Sequence, residues 1–360
     1  MGSALKTMLR LLAGAFSFAL VLAVIAVWFT SELHRPGPLA EDKTLVIARG
    51  LGVGPIAHAL ADAGVVRGAL LFEAAAGLAR FKGEHEVRAG EYLFAKGLSM
   101  LEVLEQMRHG RTVVHRFGVV EGTTAAQVVA ALRAEPALAG EIADVPEDGT
   151  LLPDTYYFSL GDGRAALLQR MRAAMAAVLT ELWPGRANGL PLATQGAAVV
   201  LASIVEKETA QPGERARIAG VFYNRLATGM RLQSDPTVIY ALTGGRGALG
   251  RPLTQADWHV ESPFNTYQVE GLPPKPIGNP GRASLAAALN PERHDFLYFV
   301  ADGSGGHAFA KTLPDHNHNV ARWRQFQHEH AAASAPPAPA ASPTPILPQE
   351  AAPVPGAAAR

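Results

Sequence analysis

Between Leu192 and Thr209 the chain is an apolar stretch that turns acidic only at its end, Ala202-Ser203-Ile204-Val205-Glu206-Lys207-Glu208. Residues 193–205 are nearly all helix formers or small apolar residues, and Pro191 stands where a first-turn proline is tolerated, so a buried helix is expected. Glu206 then has Ser203 and Ala202 three and four positions back, Val199 behind them and Ala210 ahead. Small neighbours leave room for a ligand beside the carboxyl. An apolar wall would lift its pKa toward the range of a general acid. Glu206 and Glu208 lie roughly 200° apart around the helix axis, so they do not act as acid and base on one atom. Glu-Lys-Glu is also the ordinary composition of a solvated helix end. The buried helix before it, and the polar, aromatic and proline-rich sequence after it, favour a binding groove.

Other chemistries lack their residues. His316-x-His318 and His328-x-His330 miss the i, i+4 spacing of a helical metal site, and there is no cysteine, so no metal or cofactor is expected. No Gly-x-Ser-x-Gly elbow, phosphate loop or dinucleotide fingerprint occurs. The 32 basic and 32 acidic residues cancel, which gives no reason to expect nucleic acid as a partner. Carboxylate chemistry remains.

The elements that must position Glu206 read as an α+β chain with a membrane anchor. Leu11 to Phe29 is uncharged and as a helix spans about 28 Å, enough to cross a bilayer. Lys6 and Arg10 precede it and Glu32, Glu41 and Asp42 follow, so residues 1–10 are expected in the cytoplasm and the rest outside. A cleaved signal peptide is the competing reading, opposed by the length of the run and by Trp28-Phe29 where small cleavage residues belong. Residues 30–43 read as a linker.

Thr44–Ala48 predicts a strand, Gly50–Gly54 a turn into a helix carrying Ile56, Ala57 and Leu60, and 68–81 a second helix with Leu70, Leu71, Phe72 and Leu78. Val87–Phe94 reads as a strand, and Ser99-Met100-Leu101-Glu102 is a capping box opening a helix to Arg108, with Gly110 as its stop. The strand-Gly-helix pattern of 46–60 recurs at 119–132. Such a unit resembles the LysM fold, a small glycan-associated module, which gives a LysM-like subdomain at 44–112 and a second strand-helix connector at 113–150.

Tyr156-Tyr157-Phe158 fits either a packed strand or a sugar-stacking wall. Residues 164–183 form an amphipathic helix ended by Pro184-Gly185, and Ile218, Val221, Phe222 and Leu226 make a stripe expected to pack on the Glu206 helix. Residues 231–237 read as a polar turn, 262–267 and 271–281 as structured loops, Ser284 as the cap of a short helix, and 296–309 as a hairpin turning at 302–306. Residues 151–330 are thus one catalytic domain, and the proline- and alanine-rich 331–360 a disordered tail.

Ala202 to Glu208, Val221-Phe222-Tyr223-Asn224-Arg225-Leu226, Met230 to Tyr240, Asn265-Thr266-Tyr267, Gly271-Leu272-Pro273-Pro274 and Tyr298-Phe299-Val300 together resemble the endolytic murein transglycosylases of the YceG-like (MltG) type. The resemblance spans about 44–330 and is densest from Glu206 to Gly306. It implies an inner-membrane enzyme with its catalytic domain in the periplasm, cutting nascent peptidoglycan glycan strands internally, with peptidoglycan synthases as candidate partners. It also implies that Glu206 is the essential residue. In that reaction the muramyl 6-hydroxyl attacks its own anomeric carbon to give a 1,6-anhydro end, so one carboxyl serves first as acid and then as base. Gln233, Asp235, Asn265, Thr266 and Tyr267 are the candidates for holding the sugars. The alternatives are a non-catalytic glycan-binding scaffold and a hydrolytic muramidase using Asp235 as helper.

Overall fold

The computed structural model describes residues 2–334, in which helices dominate and the strands pair only two by two. Most of the expected tail lies outside these residues, although the last helix runs as far as Ser334. The chain divides into two compact units, one to His294 and one from Asp295 on, so the segment expected as a single domain to 330 is split.

The first unit opens with α1 (Gly2–His34). Leu5–His34 is the one helix among the described residues long and apolar enough to cross a membrane, and its apolar window is wholly unburied. No linker begins at residue 30. The helix continues to His34, and Leu33, with Phe29 beside it, joins the hydrophobic core of the module that follows.

That module is β1 (Lys43–Ile47), α2 (Val53–Asp62), α3 (Ala69–Phe81), β2 (Gly90–Phe94) and α4 (Met100–Arg108), with β1 and β2 antiparallel. Ile56, Ala57 and Leu60 are buried as expected. On α3 the buried face is Phe72, Ala75, Ala76 and Ala79, while Leu70 and Leu78 point outward. Alanines let α3 approach α2 closely, which is why the leucines do not mark its inner face. The Ser99–Glu102 capping box closes in both directions, satisfying two backbone donors at the start of α4.

A second module repeats the plan. Strand β3 (His115–Gly118) leads through a turn at Gly122 into α5 (Ala125–Ala134). The strand ends four residues before the expected Gly122, but Gly50 and Gly122 occupy equivalent left-handed turns with φ of 84° and 78°, each three residues before its helix. The short β4 (Leu138–Ala139) follows, then β5 (Thr155–Phe158), antiparallel to β3, and β6 (Asp162–Gly163), parallel to β4. Tyr156 and Phe158 face the core and Tyr157 faces out, so the aromatic run is a packed strand.

The rest of the unit is helical: α6 (Arg164–Leu182), α7 (Gln195–Glu208), α8 (Arg215–Ala227), α9 (Asp235–Thr243) and α10 (Arg282–Leu289). Helix α7 starts at Gln195, capped by Thr194, so Pro191 lies ahead of it rather than in its first turn. Ala198 to Val205 are all buried. Helix α8 packs on α7 as its stripe requires, and α10 contacts both. The segment read as a turn at 231–237 instead opens α9, because Pro236 sits in the first helical turn, where its missing N–H costs nothing. Ser284 is not a cap: Gly281 holds that position and Ser284 is buried inside α10.

The second unit is the expected hairpin, β7 (Tyr298–Ala301) and β8 (His307–Ala310), followed by α11 (Leu313–Ser334). His316 on α11 stacks on Tyr298, at 5.1 Å between ring centres.

Candidate active site

Glu206 lies in the last turn of α7, where the negative end of the helix dipole disfavours an anion. Its surroundings offset that. Gly281 donates its backbone N–H to Oε2 of Glu206 at 2.8 Å, from the N-terminal cap of α10, and Nη2 of Arg215 on α8 stands 3.5 Å from Oε1. The Glu206 side chain is only 4% exposed. The carboxyl thus meets two polar groups beside apolar walls such as Ile277 and Ile239.

Nor do its small neighbours leave open space. Ala202 and Ser203 are buried, and the Ser203 hydroxyl donates to the Val200 carbonyl at 2.7 Å while accepting the Ile277 N–H at 3.0 Å. The side of α7 read as ligand room is filled by the chain's own loop at 276–281. That loop is fastened at its other side by Asn279, whose Oδ1 accepts the Leu151 N–H at 3.0 Å and whose Nδ2 donates to the Thr123 carbonyl at 2.8 Å. The two loops touch backbone to backbone: a Cβ on Gly278 would fall 2.5 Å from the Gly122 carbonyl oxygen.

This fastening brings in a second carboxylate. Glu121 reaches the same guanidinium nitrogen of Arg215, at 3.4 Å, and lies so close to Gly281 that any side chain there would displace it. Burial, and then the charge of Glu206, push the Glu121 carboxyl above its ordinary range, with Arg215 opposing. Glu121, Glu206 and Lys207 line one cavity of about 400 Å³, with Gln127, Tyr240 and Ile277 among its other walls. A larger groove of about 1040 Å³ runs between α6, the start of α7 and the prolines at 273–276. Its lining is mainly apolar and excludes Glu206, whereas the charged groups converge on the smaller cavity.

The five other candidate residues form one cluster at the start of α9. The Asp235 carboxylate accepts from Tyr267 Oη at 2.7 Å and from Trp258 Nε1 at 3.1 Å, and the two rings stack at 5.8 Å. Burial, then Asp235, raises the Tyr267 pKa strongly, so the phenol keeps its proton. Asn265 and Thr266 are fully buried. Asn265 donates to the carbonyls of Trp258 and Val260, and Thr266 Oγ1 accepts the Ser234 N–H at 3.0 Å. Gln233 is exposed and left-handed at φ 50°, a strained backbone for a non-glycine residue. The cluster is tied to α7 through Ser234, whose hydroxyl donates to Glu208, while Glu206 faces the cavity, as their angular separation requires.

Sequence reasoning missed Glu121, Arg215, Trp258 and the Gly281 N–H. Glu121 had one signal, its place at the turn of the second strand-Gly-helix unit.

A model of the YceG-like family matches residues 45–322. The chain belongs to that family. It is 31% identical over 320 residues to a Bacillus subtilis protein named endolytic murein transglycosylase, covering 78% of this chain and 85% of that one. It is 29% identical over 327 residues to a protein of the same name from Streptococcus pneumoniae, covering 77% of this chain and 58% of the other. A crystal structure of a YceG-like protein from Listeria monocytogenes matches with a TM-score of 0.47 and 31% identity, covering 77% of this chain and 99% of that one.

Proposed function

We propose that this chain is a membrane-anchored endolytic lytic transglycosylase that cuts the bond between a muramyl and a glucosaminyl residue inside a nascent peptidoglycan strand. The observation that carries the reading is Glu206 itself, a nearly buried carboxyl at a cavity, held by a backbone N–H and an arginine. Glu206 protonates the glycosidic oxygen as its bond to the anomeric carbon breaks. The resulting carboxylate takes the proton of the muramyl 6-hydroxyl as that oxygen closes on the same carbon. The product is a 1,6-anhydro ring, and no water is added. Asp235, Tyr267 and Gln233 face the strand, while Asn265 and Thr266 shape the loops that present them.

Helix α1 is retained as the anchor, a reading supported by Leu33 and Phe29 in the core of the first module, which cleavage would strip. The β-α-α-β arrangement of 43–94 supports its reading as a LysM-like glycan module, and Lys6 and Arg10 ahead of the apolar run support a periplasmic side for residues 35 onward.

Glu121 in the same cavity favours a second reading, hydrolysis by a carboxylate pair. Mass spectrometry of the products made by the full chain in detergent separates the two. Anhydro-ended fragments support the lytic route, reducing ends one water heavier support the hydrolytic one, and uncut strands reject both.

A further inference from the structure

Lys207 follows Glu206 on α7 and lines the same cavity, yet its ammonium has no hydrogen-bond or ion-pair partner among the described residues. The other cations near the site are committed: Arg215 to Glu121 and Glu206, Arg282 to Glu181, and Lys275 to Glu147. The Lys207 side chain, exposed overall, runs past two glycines. A Cβ on Gly122 would come within 3.8 Å of its Nζ, and one on Gly278 within 3.3 Å of its Cε. The same position on Gly122 lies 3.5 Å from Cγ of Glu206, so Gly122 borders both side chains. Partial burial lowers the Lys207 pKa, while the charges of Asp148 and Glu206 work to raise it. A cation beside the Glu206 carboxyl with no hydrogen bond or ion pair of its own is a site for an anion carried by the substrate.

In a strand of alternating N-acetylated amino sugars, the muramyl unit differs from its neighbour by the lactyl ether on O3. That group carries a carboxyl, free when the sugar is bare and amide-linked when it bears a peptide stem with carboxylates of its own. We infer that Lys207 selects the muramyl residue by pairing with a carboxylate borne on its lactyl arm. This rests on the reading that the cavity takes a muramyl glycan, and it adds the group that tells the two sugars apart.

The test measures binding of three kinds of strand to the full chain in detergent, in a Glu206→Gln background so that the strands stay intact. The strands bear peptide stems, are stripped to free lactyl carboxylates, or are stripped and capped as neutral methylamides. Carboxylate-bearing strands should bind about three- to tenfold tighter than capped ones, with the preference shrinking as salt rises. Lys207→Gln and Lys207→Met should erase that preference, and Lys207→Arg should keep it. Preference for the free lactyl form names the lactyl carboxylate as the partner, and preference for the stem-bearing form alone names the stem. Capped strands that bind as tightly as the others, or a preference that survives both neutral variants, would overturn the inference. Strands cut in the Glu206→Gln background would instead reject the catalytic reading and leave the binding comparison standing.

Discussion

Gly281 gives its backbone N–H to Glu206, joining the N-terminal cap of one helix to the last turn of another. The bond sets Oε2, and the other oxygen, Oε1, lies 3.5 Å from the Arg215 guanidinium. A glutamine preserves the acceptor for Gly281 but holds no acidic proton. Glu206→Gln should therefore melt within a few degrees of the parent while cleavage falls about 10²–10⁴-fold, the usual worth of a general acid. Melting curves and product release on the same sample check both halves, and activity within a few-fold of the parent would remove Glu206 from the chemistry.

Glu121 makes a prediction about stability and pH. Its carboxyl is raised above the ordinary 4.5 by burial and by the Glu206 charge, so the folded chain holds that proton more tightly than the unfolded chain does. The contribution is present below about pH 4.5 and is lost as pH rises through the folded value. Glu121→Gln, neutral throughout, should gain thermal midpoint relative to the parent as pH climbs from 4.5, and the gain should level off once Glu121 is ionised. A midpoint difference that stays constant from pH 4 to pH 8 would contradict the strained carboxyl.

Local signals carried much of this architecture in the sequence. Ser99–Glu102 closes as a capping box, Gly110 stops its helix in a left-handed turn, and the 302–306 turn joins two antiparallel strands. The candidate carboxyl was legible because an uninterrupted apolar helix ended on it. What surrounds it was not. Glu121 arrives from another module, and the Gly281 N–H is a backbone group without a side-chain signature. Asp235-Pro236 looks alike as a turn or as a helix start, and only the tertiary contacts of α9 decide. Asn265 and Thr266 looked like groove residues because they are polar, yet they are buried and bonded to backbone.

Ser203 holds the roof of the cavity. Its hydroxyl is the acceptor for the buried Ile277 N–H, and Ser203→Ala leaves that donor without a partner. The expected loss is about 1–3 kcal/mol, read as a lower midpoint in denaturant. The 276–281 loop also carries Gly281, so kcat should fall several-fold even where the protein remains folded. Unchanged stability would mean that Ile277 finds another acceptor.

Asp235 separates binding from chemistry. One of its oxygens accepts from both Tyr267 and Trp258, fixing two stacked rings beside a carboxylate that is itself exposed. Such a surface suits the apolar face of a sugar and its hydroxyl edge. Asp235→Ala frees both rings and should raise KM for glycan strands about 5–20-fold, the worth of one or two hydrogen bonds, with kcat within about twofold. Asp235→Asn retains an acceptor oxygen for the rings and should fall between the parent and the alanine variant. The opposite split, kcat lost at constant KM, would move Asp235 among the groups that meet the transition state.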